Sequence, residues 1–200
     1  MPAEGNKPAE RTSEMVKPAS DAATDLNGLF VDSLKDIYWA ENALLKALPK
    51  MIANATAPTL ASAIKDHLMV TKIQITRLDK IFALIGEKAE GKKCEAMAGL
   101  IKEGDEILEE TAPGPVRDAG IIAASQKIEH YEIATYGTLC AFAKALGQND
   151  AAMLLTQTLA EEKEADMLLS DVALNAINAT ASGNETANRE ANRGKLKMKS

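Results

Sequence analysis

Between residues 25 and 178, apolar side chains recur every three or four positions. That is the repeat of helices with one buried face. The first stripe is Phe30, Leu34, Ile37, Glu41, Leu44, Leu48 and Met51, and it predicts helix A from Asp25 to Ala53. Pro49 lies inside this stripe and is expected to kink the helix or end its regular part. A short Thr-Ala-Pro connection follows. Pro58 suits a first helical turn, with Thr56 placed as a cap. Ile64, Leu68, Thr71, Ile75, Leu78, Phe82 and Ile85 then predict helix B, which stops at Gly86. Residues 87–118 form a long connection holding a smaller amphipathic helix (Met97, Leu100, Ile101, Ile107, Leu108) and the breaker Ala-Pro-Gly-Pro-Val. Helix C is predicted from Val116 to Leu146, ended by Gly147, with Asn149 placed to cap the next helix. Helix D is predicted from Asp150 to Ile177, on the stripe Leu155, Leu159, Glu162, Asp166, Leu169, Val172 or Ala173, and Ala176.

Short A–B and C–D links make two antiparallel hairpins, joined by one long B–C connection. This predicts an all-α chain: a ferritin-like antiparallel four-helix bundle over residues 25–178, with one long crossover carrying a short extra helix. The crossover is expected to run along the bundle's length. Residues 1–24 and 179–200 have almost no large apolar anchors and are expected to be flexible tails. The second is basic at its end and is either a solubilising tail or a docking segment.

Composition narrows the class. Apolar residues make up 46% of the chain and aromatics only 4%, so the core is built from Leu, Ile, Ala and Met, which favours helix over sheet. A net charge of −6 gives no footprint for nucleic acid. Cys94 and Cys140 have no paired spacing and read as free thiols of a cytoplasmic, reducing compartment. No apolar run reaches membrane-spanning length, and the N-terminus lacks the apolar core of a signal peptide.

Against this background the acids inside the apolar stripes are the anomaly. Glu41 interrupts helix A. Glu129 and Glu132 share a seam of helix C with Ser125, Tyr136 and Leu139, inside the stretch IEHYEIATYG at 128–137. Glu162 and Asp166 interrupt helix D. All lie mid-helix, so they meet at one level of an antiparallel bundle. A buried unpaired carboxylate costs several kcal/mol, so such acids protonate, pair with bases or bind cations. Lys127, Lys163 and Arg77 fall toward outer faces, though Arg77 has the reach to fold back. His67, on a face with Ile64, Thr71 and Gln74, tilts an oxygen-rich site toward iron or manganese. Taken singly, each residue has a plainer reading. Glu41 sits at a solvated stripe edge, Ile128 takes the core position instead of Glu129, and His67 is a hydrogen-bonded flank residue. His130 points away from the seam, and Glu161 and Glu164 are solvated. No Ser-His-Asp or Cys-His arrangement and no Gly-rich phosphate loop stands out.

Three segments, LFVDSLKDIYWAENALLKALPKM (29–51), QKIEHYEIATYGTL (126–139) and LLTQTLAEEKEAD (154–166), resemble the YciE/YciF-like ferritin-like stress proteins. The resemblance covers about residues 25–175. It implies a bacterial, cytoplasmic, commonly dimeric ferritin-like bundle linked to stress responses. Fold relatives such as the rubrerythrins hold two metals, and Glu41, Glu129, Glu132 and Glu162 are similar to their acids. One departure stands in helix B. Family members usually carry acids just after the histidine, where HLMVTKIQ at 67–74 has Met69 and Val70. His67 and Gln74 supply only neutral ligands. The expectation is therefore a single metal, an asymmetric pair, or a bundle without metal. In helix D, Asp166 follows Glu162 by four, and Ala165 stands where a Glu-x-x-His motif has histidine. Two functions follow. One is a carboxylate-rich iron or manganese site with ferroxidase or peroxide-related activity, in which Tyr38, Tyr131 or Tyr136 donates hydrogen bonds or electrons. The other is a metal-free structural or interaction protein with a polar layer in its core and tails that recruit partners.

Overall fold

The computed structural model describes residues 16–20 and 22–183, and every regular element among them is helical. Helix α1 spans Leu26–Asn54. The Asp25 carboxylate starts it by accepting from the Gly28 N–H at 2.7 Å. Pro49 does not end the helix, which runs on to Asn54, because the proline sits exposed, one turn from the end. Helix α2 spans Pro58–Ile85, with proline at its first position and Gly86 closing it at φ 74°. Thr56 does not cap α2. Its hydroxyl instead donates to Asp118 at 2.5 Å. Helix α3 (Glu95–Glu110) is the short helix expected in the long connection, and the Cys94 sulfur accepts from the Met97 N–H at its start. Helix α4 spans Pro115–Ala145 and α5 spans Asn149–Val172. Asn149 is the first helical residue and not the cap. The chain then widens into a π-helical turn, Ala173–Ile177, and ends in a short α6, Asn178–Ala181.

Side-chain partners fix the helix directions. Tyr38 meets Phe82 across α1 and α2. Arg77 meets Thr158, and His67 meets Glu162, across α2 and α5. Gln126 meets Ser170, and Cys140 meets Thr156, across α4 and α5. For α2 with α5 and for α4 with α5 one residue number rises as the other falls, and α1 meets α2 far from the short link that joins them, so these neighbours are antiparallel. Four long helices thus form a ring in which α2 and α4 run the same way. The connection between them must cross the length of the molecule, and it does. Lys92 pairs with Asp32 near the start of α1, Asp105 with Lys50, and Arg117 reaches Asn54 at its end.

The core is a column of apolar side chains from Phe30, Leu34 and Leu44 on α1 to Leu139 and Leu155 on α4 and α5, all fully buried. Helix α4 is buried on two sides because α3 covers its outer face. Gly120 permits this close packing: a Cβ there would lie 2.6 Å from the Ile107 Cγ2. Residues 16–20 and 22–24 precede α1 as exposed, non-helical chain. The remainder of the expected N-terminal tail lies outside the described residues. On the C-terminal side helix persists to Ala181 rather than stopping near Ile177, and the tail from 184 onward is likewise outside them.

Candidate metal centre

Helical spacing aims the acids. On α1, Glu41 follows Ile37 by four and precedes Leu44 by three, so it takes a core position, and it is 0% exposed. On α4, Glu129, Glu132 and Tyr136 follow one another at three and four, and all are buried. On α5, Glu162 continues the line of Leu155 and Thr158 and is also 0% exposed. On α2, His67, Thr71 and Gln74 form the facing stripe, with the His67 side chain 11% exposed.

His67, Glu129, Glu132 and Glu162 each offer a ligand atom, and these atoms all lie within 4.8 Å of one another. The His67 Nε2 is 3.5 Å from a Glu129 oxygen and 4.0 Å from a Glu162 oxygen. These contacts are not ion pairs, because burial lowers the His67 pKa to about 4 and leaves the imidazole neutral at pH 7. Burial, then the neighbouring Glu162 charge, pushes Glu129 up to about 10. Burial raises Glu162 to about 7, with Gln74 and Arg77 opposing the rise. Burial drives Glu41 and Glu132 well above the usual carboxylate range, and the Glu162 charge adds to both shifts.

Two of the predicted residues stand apart from the four-donor group. Glu41 adjoins it, but one of its oxygens accepts from the Tyr136 hydroxyl. Asp166 lies at the edge, where Gln126 donates to it and the His130 Nε2 is 3.3 Å away. Glu129 and His67, singly the weakest candidates in the sequence, belong to the group. The Gln74 amide donates to Glu162 and, at 3.2 Å, to Glu161. Arg77 takes the inward of its two expected courses. It donates twice to Glu161 at 2.8 Å and once to Thr158. Glu161 is therefore paired and not merely solvated. The signal for this was Arg77 three residues after Gln74, on the same face of α2.

Comparison with known proteins now places the chain. The family described as a domain of unknown function, DUF892, matches residues 25–182. Protein YciF of Escherichia coli K12 is 44% identical over 157 residues, spanning 78% of this chain and 95% of YciF. The chain belongs to the DUF892 family. The crystal structure of YciF, an E. coli stress protein, superimposes with a TM-score of 0.75 at 43% identity, covering 78% of this chain and 99% of that one. The YcfI structure from Rhodopseudomonas palustris gives 0.76 at 46% identity, with the same coverage.

Within this DUF892 protein, one feature of the site escaped the sequence. Glu41 Oε2, Gln74 Oε1, Glu129 Oε2, Glu162 Oε2 and both oxygens of Glu132 are buried without a hydrogen-bond partner. Natively buried polar atoms are nearly always partnered. Six orphan oxygens in one interior region are a concentration of unmet acceptor capacity. Three carboxylates with one neutral imidazole make a donor set that suits a divalent transition metal.

Proposed function

We propose that the four long helices form a ferritin-like bundle built around a metal site, and that His67, Glu129, Glu132 and Glu162 hold one iron or manganese ion in a protein of the bacterial stress response. The observation that carries this reading is the orphaned acceptor cluster. Burying one carboxylate without a partner costs several kcal/mol, and among the described residues no free cation reaches these oxygens: Arg77 is engaged by Glu161 and His67 is neutral. A bound cation relieves the mutual repulsion of three acids at once. Bound iron or manganese would supply one-electron redox chemistry there toward an oxidant such as peroxide. The chain's own groups prepare the site. Burial keeps His67 unprotonated, so its lone pair is ready at neutral pH. Gln74 orients Glu162, and Tyr136 holds Glu41 beside the group.

Helix α2 contributes His67 and Gln74 but no carboxylate, which favours one ion per chain over a symmetric pair. The protein is purified without added metal and its content measured by mass spectrometry. About one equivalent of iron or manganese is expected, falling at least tenfold in Glu132→Gln and His67→Ala. A chain that carries no metal and takes none up supports the second reading, a structural protein with a protonated polar layer. That reading has its own observation in the Tyr136–Glu41 and Gln74–Glu162 hydrogen bonds.

A further inference from the structure

Beside the acid cluster lies a cavity of about 190 Å³ between α2 and α5. Its apolar wall is formed by Ile64 and Val70 from α2 and Ala165 and Leu168 from α5. His67 and Glu129 also line it, so two of the four proposed metal donors face into it. Glu129 is 3% exposed, and its Oε2 has no partner. Leu168 is 47% exposed, so the cavity opens to solvent along this wall. Val70 follows His67 by three, so it lies one helical turn on and places a hydrocarbon wall beside the histidine.

We propose that this cavity binds a small uncharged amphiphile, an aryl or short alkyl alcohol, with its hydroxyl at His67 and Glu129 and its hydrocarbon between Val70 and Leu168. The size follows from volume. A cavity of roughly 150 Å³ holds benzene, so this one takes a single ring with a short substituent. The polarity follows from the lining. His67 and Glu129 are the nearly buried polar groups that can meet a head group, and Ile64, Val70, Ala165 and Leu168 offer dispersion and burial to the rest. Glu161 also lines the cavity, but Arg77 occupies it. The charge follows from the acids. Three glutamates around a divalent ion leave a net negative centre, and Asp66 and Glu164 stand exposed in the lining, so an anionic head is repelled.

The inference rests on the metal reading for what the hydroxyl meets, and the experiment separates the two. Full-length protein, loaded with manganese, is titrated calorimetrically with 4-ethylphenol and with 4-ethylbenzoate. Metal content is measured on the same samples. The phenol is expected to bind at one site, at least tenfold more tightly than the carboxylate. Ala165→Phe and Val70→Phe fill the cavity and are expected to weaken binding at least tenfold with metal content unchanged. Ala165→Leu, a smaller intrusion, is expected to fall between, and circular dichroism melts confirm that each variant folds. Equal binding of the carboxylate, binding unmoved by both Phe variants, or metal-loaded protein that binds no phenol each overturns the proposal. If the chain takes up no metal, the metal reading fails separately. The titration on metal-free protein then decides the cavity: phenol bound and lost in the Phe variants upholds the site, and no binding ends it.

Discussion

At the scale of single residues, Glu132 has the most to explain, since both its oxygens are buried without partners. Its pKa lies well above the usual range, first through burial and then through Glu162 and Glu41. In the metal-free protein at pH 8 the native state must therefore either hold a proton that the unfolded chain has released or carry an unsolvated charge. Either course costs about 1.4 kcal/mol for each pH unit spanned. Glu132→Gln removes that cost. We expect it to stabilise metal-free protein at pH 8 and to do nearly nothing at pH 4.5, read from urea midpoints at the two pH values. The parent chain follows the same sign. Below the unfolded value of 4.5 the acids are protonated in both states. As pH rises, the unfolded chain releases protons that the native state keeps, so stability falls. The Glu162 share is complete above about 7, and the Glu129 share continues toward about 10. A metal-free melting temperature that is flat or rising from pH 5 to pH 8 would contradict raised pKa values in the cluster. The positions of these acids were legible in the sequence, because Glu41 and Glu162 replace leucine-like positions in a stripe. The choice between Glu129 and Ile128 was not, since a 100° step on one helix does not say which neighbour is nearer.

At the scale of elements, the least expected feature is Asp118. It is 2% exposed at the start of α4. Its carboxylate accepts from the Thr56 N–H at 2.7 Å, the Thr56 hydroxyl and the Ala57 N–H at 2.9 Å. It thus satisfies the turn between α1 and α2 from a helix about sixty residues away (|i−j| 61 and 62). Hydrogen bonds to a charged group contribute about 1.5–3 kcal/mol each, and their loss strands buried N–H groups. Asp118→Ala is expected to cost about 2–4 kcal/mol, with Asp118→Asn retaining part. Unfolding followed by the fluorescence of Trp39, the only tryptophan, measures both. Gly120→Ala sets two effects against each other. Alanine favours the helix by about 1 kcal/mol. The new Cβ would meet a methyl of the stiff, branched Ile107 at 2.6 Å, and overpacking costs about 1–3 kcal/mol. The clash is expected to win, and Ile107→Ala in the same chain should turn Gly120→Ala from destabilising to neutral or better. An unchanged effect in the double variant would place the cost elsewhere.

At the scale of the whole molecule, metal, fold and stability are linked by mass action. A ligand that binds only the native state adds about 2.7 kcal/mol at a hundredfold excess over its Kd. For a chain of this length that is roughly 5–10 °C of melting temperature. Chelation is expected to lower the melting temperature by that amount in the parent protein and not in Glu132→Gln. A chelator without effect on the parent argues for the polar-layer reading. The sequence by itself determined the helices, their order and the long crossover, because helix is a local event whose buried face repeats every 3.6 residues. It also determined which acids interrupt those faces. Only the tertiary structure decided how they meet. It set Glu129 and His67 within ligand distance of Glu132 and Glu162, left Asp166 with Gln126, and turned Arg77 onto Glu161. It made Asp118 the clamp of a distant turn and placed Val70 as the wall of a cavity. These are relations between residues on different helices. The rotation of each helix about its axis sets them, and that rotation is fixed only when all the helices share one core.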